Sequence, residues 1–315
     1  MSTITLERVQ LAHTSQLEEG KPREVRNGLR AVDWVLGVFF LYTAVLAIVL
    51  PISTQVRLTT VAVNIAVLCA IPFFVNWPRA RSRQLIRDCY PLALVVLAYK
   101  QMGWFAPDRH DYRLERIWIR WDDLLLRDWG LKSAVEVFGS LVPMILELSY
   151  LLVYLTGPLC LLIIYRYKRT DRAGDFLLVY VLGLLLSYGQ FPFWPSEPPR
   201  VVFAESLQPA ASIVRNVNLA VVGNAGIRTS VFPSAHVSGV FAAALALFLL
   251  FRDKAWIWRG MAVYAFCVAI ATVYGRYHYA VDASAGFIVA IVALAIAQML
   301  APSLIVGVHS SRKQL

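Results

Sequence analysis

Residues 232–251 read FPSAHVSGVFAAALALFLLF, and residues 275–286 read GRYHYAVDASAG. The first stretch is apolar and long enough to cross a hydrocarbon core, with a single histidine, His236, near its start. The second opens another such run, and again a histidine, His278, stands at its start. The two are 42 positions apart. That is room for two crossings and a short turn, so topology alone returns both imidazoles to one face of a membrane.

Outward from these two runs, apolar windows of the required length recur. A core about 30 Å thick needs roughly 17–25 residues per helix. Eight windows meet or approach this, at roughly 32–50, 58–75, 90–106, 141–165, 176–194, 232–251, 260–275 and 280–303, the third and seventh being the shortest. The composition agrees. The 315 residues are 58% hydrophobic and 16% charged, with a mean hydropathy of +0.60. A soluble domain is usually about 45–50% apolar and about 25% charged, so disorder, fibrous repeats and most soluble folds are excluded. The expected fold is all-α: a polytopic membrane helix bundle of about eight transmembrane helices. It forms a single membrane catalytic domain over 31–305, with its motif core at 190–290. A tail at 1–30 precedes it and a tail at 306–315 follows.

Thirty Lys and Arg oppose 20 Asp and Glu, a net charge of +10. In a chain this apolar, basic surplus sets membrane orientation rather than nucleic-acid binding. With the N-terminus in the cytosol, eighteen basic residues fall in cytosolic segments: Arg8, Lys21, Arg23, Arg26, Arg30, Arg79, Arg81, Arg83, Arg87, Arg166, Lys168, Arg169, Arg172, Arg252, Lys254, Arg259, Arg312 and Lys313. Those connections are short, which is where the bias counts. The expectation is a plasma- or inner-membrane protein, both termini cytosolic, with the histidines on the extracytoplasmic face. The first thirty residues are polar and read as neither signal nor transit peptide. The four cysteines form no C-x-x-C, so neither a zinc site nor a disulfide framework is expected.

Two outer segments are long. In roughly 107–140, Leu114, Ile117, Trp118, Trp121, Leu124 and Leu125 recur at helical spacing between Arg and Asp, which predicts an amphipathic helix lying in the interface. Roughly 195–231 begins WPSEPPR, where proline density predicts an extended, stiff start rather than helix.

The chemistry concentrates at the two histidines. His278 and Asp282 are i and i+4, so a helix puts them on one face. A carboxylate there takes the Nδ1 proton and leaves the other ring nitrogen bare and oriented, as a nucleophilic histidine requires. An isolated H-x-x-x-D is more often an ordinary helical neighbour pair. A helix start at Pro233-Ser234-Ala235-His236 offers unpaired N–H groups and partial positive charge to an anion, with the Ser234 hydroxyl beside them. That too has a plain reading, a capped helix start. Both motifs on one face at one depth favour a phosphate site. A guanidinium fork suits phosphate oxygens; Arg200, fixed by Pro198-Pro199, ranks first and Arg276 second, with Arg215 and Arg228 in the same outer loop. Lys100 and Glu147 are ionisable groups inside apolar windows, either a structural pair with one another or accessory groups of the site. No carboxylate cluster suggests a metal, and no cofactor is expected.

P-S-A-H followed by H-Y-A-V-D resembles the type 2 phosphatidic acid phosphatase superfamily, integral-membrane lipid phosphatases and phosphotransferases related to vanadium haloperoxidases. The resemblance is strong over about 190–290 and only outlined earlier. The superfamily's common pattern has an arginine six residues before the nucleophilic histidine, where this chain has Thr272, and no K-x-x-x-x-x-x-R-P is present. P-S-E-P-P-R and T-V-Y-G-R-Y-H-Y-A-V-D resemble instead the branch containing inositol phosphorylceramide synthases. The resemblance implies that His278 attacks phosphorus to form a phosphohistidine, that Asp282 orients it, and that His236 serves as acid and then base. Ser234, the N–H groups near Ala235, and Arg200 or Arg276 would hold the phosphate oxygens. The partners it implies are a lipid phosphate, the bilayer and an alcohol acceptor lipid, with no nucleic acid. The rival classes are a lipid transporter or scramblase, in which Lys100, Glu147 and the histidines line a polar path, and a non-catalytic lipid-binding membrane protein.

Overall fold

The computed structural model describes residues 28–77, 80–106, 112–203, 208–229, 232–302 and 304. Apart from residues 28–30, the two expected tails lie outside these, as do His13, His110 and His309. All regular elements among the described residues are helical. The principal helices are α1 (Ala31–Val49), α2 (Thr54–Val75), α3 (Ala80–Met102), α4 (Arg113–Asp123), α5 (Leu131–Glu136), α6 (Leu141–Leu151), α7 (Thr156–Arg166), α8 (Ala173–Tyr188), α9 (Pro199–Val202), α10 (Ile213–Ala225), α11 (Ala235–Leu250), α12 (Ala255–Tyr274) and α13 (Ala280–Leu300).

Among the described residues six stretches are long and apolar enough to cross a membrane: Ala31–Val49, Thr54–Val75, Leu141–Arg166, Thr170–Phe193, Ala255–Tyr274 and Ala280–Leu300. Two of the eight expected windows fall short of that measure. Helix α11 has 16 residues, because Pro233 and the Ser234 cap start it three positions into the window. Helix α3 has 23, but its opening turns carry Arg83, Arg87 and Asp88, which the apolar window at 90–106 leaves out. Helices α6 and α7 form one rod joined by a 3-10 turn at Leu152–Leu155. Pro158 sits just past that turn and cannot donate back to residue 154, which favours the tighter winding there.

Helices α8 and α11 make the centre. Both are apolar all round, and α8 is buried over almost its whole length, packed by α3, α11 and α13, as a helix without a polar face is in a bundle core. Small residues set how close they come. A Cβ on Gly183 of α8 would stand 2.7 Å from the Ala242 Cβ of α11. A Cβ on Gly286 of α13 would stand 2.5 Å from the Ser234 carbonyl oxygen. Without a hydrophobic drive between helices in lipid, such close backbone approach and internal hydrogen bonds hold the bundle. Ser187 Oγ and Ser238 Oγ meet at 2.8 Å between α8 and α11. Asn64 of α2 donates to the Phe40 carbonyl and the Thr43 hydroxyl of α1, both at 2.8 Å, and accepts from Gln101 of α3 at 2.7 Å.

The two ends of the bundle differ in charge. At one end Arg30 binds Asp88 at 2.6 Å, Tyr165 donates to Asp88 at 2.8 Å, and Arg169 grips both oxygens of Asp253 at 2.7 Å. The carboxylate of Asp253 is held below its usual range despite some burial, because the Arg169 guanidinium binds it. Helix α11 runs from His236 at the opposite end down to Leu250, whose carbonyl accepts from Arg169. The histidines and the basic loops therefore occupy opposite ends.

Over the histidine end lies α4, followed by a π-helical turn at Leu124–Asp128. The expected amphipathic helix is present, but its inward face is not the apolar stripe. Glu115, Trp118 and Asp122 are buried, while Ile117, Trp121 and Leu124 are exposed. Trp118 turns inward to stack near Phe232 and Tyr279, each ring centroid 5.4 Å away. The segment after α8 enters without helix over 195–198, as expected, with Pro198 extended (φ −68°, ψ 149°). Helix starts only at Pro199, the first position of the short helix α9, where a missing N–H costs nothing, and α10 forms a full helix further on.

Candidate active site

Pro233 and Ser234 begin α11. The Ser234 backbone is extended, and its hydroxyl accepts the Val237 N–H at 3.4 Å as an N-cap. The Ser234 N–H donates to the Asp282 carbonyl at 3.0 Å, which joins the first turns of α11 and α13. Gly286 is what lets these two backbones approach.

The second arm is the α12–α13 turn. Helix α12 ends at Tyr274, capped by Gly275, and Arg276 follows in the left-handed region (φ 61°), where glycine is the usual residue. The turn folds back so that the N–H groups of Tyr277 and His278 both bond the Thr272 carbonyl at 3.0 Å. A non-glycine residue held there costs of order 1–3 kcal/mol, a strain kept at this turn by its neighbours. Asp282 Oδ2 then accepts the Tyr279 N–H at 3.0 Å, closing a capping box on α13.

These two arms bring His236 and His278 together. Nδ1 of His236 lies 3.3 Å from Nε2 of His278. Nδ1 of His278 faces Asp282 Oδ2 at 3.4 Å, and the Asp282 side chain is fully buried. In that order a proton on His278 Nδ1 would face the carboxylate and leave Nε2 to accept from His236. Tyr150 and Tyr154 wall His236, with centroids 5.1 and 5.5 Å away.

Arg200 completes the group. Its N–H donates to the Arg276 carbonyl at 2.8 Å, tying α9 to the histidine turn. A cavity of about 40 Å³ is lined by Arg200, His236, His278, Ala235, Tyr150 and Tyr277 among others. Burial pulls the Arg200 pKa down from its ordinary value, but an arginine remains a cation at neutral pH. The N-terminus of α11 faces the same space through Ala235. A cation and a helix N-terminus around two imidazoles form a setting for a tetrahedral anion.

A second cavity of about 270 Å³ meets the first at His236, Ala235 and Tyr99. Its walls are mostly apolar, with Val96, Leu184 and Val240 among them, and Lys100 and Tyr154 also line it. Val96 and Tyr154 are 61% and 47% exposed on the outside of the bundle, so this cavity opens sideways.

The remaining expected residues lie elsewhere. Ser234 and Arg276 do not line the small cavity. Arg276 turns to Asp122, its Nη1 3.7 Å from Oδ2, and its guanidinium lies 3.9 Å from the centre of the Phe203 ring. Asp122 in turn accepts the Ala280 N–H at 2.8 Å. Burial pushes its carboxyl up to about 7, against the opposing pull of that hydrogen bond and of Arg276. Lys100 and Glu147 do not pair, contrary to expectation. Lys100 donates to the Ala225 carbonyl at the end of α10 at 2.8 Å, where a helix dipole attracts a cation. Glu147 binds Arg215 at 2.9 Å, and also Asn218 and Tyr277.

Sequence reasoning missed the tyrosine wall and the role of Arg215, which it left among the loop charges. The signal for Arg215 was present: Arg215 and Asn218 are three apart, one helical face. Nothing in the local pattern marks Tyr150 or Tyr154. Among the described residues no group of three or more His, Cys, Asp or Glu side chains is placed to share a metal.

A family model described as PAP2 superfamily matches residues 119–296, more than half of the chain and all but Lys100, Tyr99 and Val96 of the residues just placed around the two cavities and their neighbours. No match was found among curated proteins or among solved structures. The motif pair at His236 and His278 and the extent of that match agree: the chain belongs to the type 2 phosphatidic acid phosphatase (PAP2) superfamily.

Proposed function

We propose that the protein transfers a phosphoryl or phospho-headgroup from a lipid phosphate ester through a phosphohistidine at His278. The observation that carries this reading is the convergence of His236, His278 and Arg200 on one small cavity that opens into a larger apolar one, with Asp282 buried behind His278. In the first step Nε2 of His278 bonds phosphorus as the ester P–O bond breaks, and His236 gives a proton to the leaving alkoxide. In the second, His236 takes the proton of the incoming hydroxyl, its oxygen bonds phosphorus, and the P–N bond breaks. Asp282 stabilises the charge that develops on His278. Arg200 and the α11 N–H groups near Ala235 hold the non-bridging oxygens, where charge must be stabilised. The Ser234 hydroxyl holds that helix start, and Arg276 holds Asp122 and the turn.

The resting pair is too close for the reacting complex. A near-attack nitrogen about 3–3.5 Å from phosphorus and a hydrogen bond of about 2.8 Å to the leaving oxygen need roughly 6 Å between the two imidazole nitrogens. They stand at 3.3 Å, so a bound phosphate parts them by about 3 Å.

The larger cavity supports a lipid substrate, since its sideways opening at Val96 and Tyr154 admits a hydrocarbon chain from the bilayer to His236. We favour an alcohol over water as acceptor, in the manner of inositol phosphorylceramide synthases. Thr272 stands where the superfamily pattern has an arginine, and the tyrosine wall limits water at His236. The basic loops lie at the end away from the histidines, which supports an extracytoplasmic site with both termini cytosolic.

The test offers purified protein a panel of labelled lipid phosphates, phosphatidic acid, polyprenyl diphosphate and phosphatidylinositol, with and without alcohol acceptors. Label is followed by chromatography into inorganic phosphate or a new lipid. His278→Ala is expected to abolish both while the protein still reaches the membrane. Wild-type rates in that variant would remove His278 as the nucleophile.

A further inference from the structure

Glu147 is buried in α6 and takes no part in the chemistry above, yet the polar contacts of its carboxylate lead to both arms of the site. Its Oε1 accepts from Arg215 at 2.9 Å. Its Oε2 accepts from Asn218 at 2.7 Å and from the Tyr277 hydroxyl at 2.6 Å. Tyr277 adjoins His278 and stacks on Tyr150, centroids 3.8 Å apart and 9° from parallel, and Tyr150 packs on His236. The same Arg215 guanidinium donates to the Gly275 carbonyl at 3.0 Å, in the turn before His278, and to Gln208 at 3.2 Å. Gln208 donates to the Phe203 carbonyl at 3.2 Å and lies 3.5 Å from that of Arg200.

We propose that Glu147 is a positioning residue that sets the spacing between the His278 turn and the short helix α9 that carries Arg200, through Tyr277 on one side and Arg215 on the other. The proposal rests on the phosphoryl-transfer reading. Stability alone does not account for the pair, because a buried ion pair is often matched or bettered by apolar side chains of equal volume. What apolar side chains cannot do is fix a phenol and a backbone carbonyl at defined points. Tyr277 suits this use: burial, then the charge of Glu147, push its phenol above the usual range, so it remains a donor.

The test compares wild type, Tyr277→Phe, Glu147→Gln and the double variant in micelles, with His278→Ala as control. Phenylalanine keeps the stack on Tyr150 and loses only the hydroxyl. Glutamine presents an amide N–H to donors. Each single change is expected to lower kcat and the burst of labelled phosphoenzyme about 10- to 100-fold, the scale of an ångström-sized misplacement. KM should move less than about threefold, and the double variant should be no slower than the slower single one, since both act through one link. Binding of orthovanadate, read as protection against heat, should weaken in parallel. Wild-type kcat in well-folded Tyr277→Phe, or lost heat stability with kcat per folded molecule intact, would overturn the proposal. If wild type and His278→Ala convert the labelled lipid equally, the reaction assignment fails instead, and vanadate protection alone judges the positioning role: lost in Tyr277→Phe supports it, kept refutes it.

Discussion

Replacing Gly286 by alanine separates the geometry of the site from the stability of the bundle. The added Cβ would lie 2.5 Å from the Ser234 carbonyl oxygen, 3.1 Å from the Val237 Cβ and 3.2 Å from the Ser238 nitrogen. A carbon and a carbonyl oxygen rest at about 3.3 Å or more. The start of α13 must therefore retreat from α11 by roughly 0.8 Å, the difference between those separations. The Ser234 N–H to Asp282 carbonyl bond, 3.0 Å now, would stretch beyond hydrogen-bonding range. Overpacking costs about 1–3 kcal/mol and the lost bond about 0.5–1.5 kcal/mol. Asp282 would shift with α13 while His236 stays on α11, so turnover is expected to fall about 100-fold. Gly183→Ala is the comparison: its Cβ meets Ala242 at 2.7 Å, eight residues or roughly 12 Å along α11 from Ser234. It should lose similar stability and keep most activity. Thermal melting in micelles and label release per folded molecule read the two effects. Equal losses of turnover in both variants, or none in Gly286→Ala, would refute this account of how the histidines are aligned.

Three other changes test the site one group at a time. Asp282→Asn keeps an acceptor for the Tyr279 N–H but removes the charge behind His278, and kcat should fall about 10²- to 10⁴-fold with the fold intact; a change below threefold in phosphoenzyme formation would exclude that role. Arg200→Lys keeps charge and loses the fork, so vanadate inhibition and kcat/KM should weaken about 10-fold or more, measured by titration against turnover. For Asp122 the folded carboxyl titrates at about 7 against an ordinary 3.8, so the folded state holds the proton more tightly than the unfolded one. Its stabilising contribution is complete below about pH 4 and is lost as pH rises through about 7, at most about 4 kcal/mol for a pKa displaced that far. Asp122→Asn retains the bond to Ala280 and should flatten that part of the melting-temperature profile; an unchanged slope over that pH range would rule Asp122 out as its source.

The reading of 232–251 and 275–286 found the meeting of the two histidines because its logic is one of chain connectivity. Two crossings and a turn must bring His236 and His278 to one end, and i, i+4 must bring His278 and Asp282 to one face. The prolines at 198 and 199 ranked Arg200 ahead of Arg276, and Arg200 is the one that lines the small cavity, but the sequence did not show what Arg276 does instead. The place of Arg276 depends on its left-handed backbone and on a carboxylate, Asp122, that reaches Ala280 from 158 positions away. Lys100 and Glu147 were recognised as costly in an apolar window, but most of their partners sit on α10, inside a segment read only for its prolines and arginines, and Tyr277 lies on the turn before α13. Trp118 was placed at the lipid surface because periodicity marks an amphipathic face without saying which side meets protein. Here the buried side carries Glu115 and Asp122, whose oxygens are needed by backbone N–H groups of Glu197 and Ala280.

That last arrangement reaches beyond the fold. Helix α4 meets the surroundings through Ile117 and Trp121, and on its reverse supplies acceptors to the Ala280 N–H at the start of α13 and to the Glu197 N–H just before α9. Whatever presses on the outer side is therefore felt, one helix diameter away, by the peptide groups that seat His278. Under the proposed phosphoryl transfer, acyl-chain thickness, headgroup crowding and the choice of detergent are then expected to enter the rate, which comparing turnover in bilayers of two thicknesses would check.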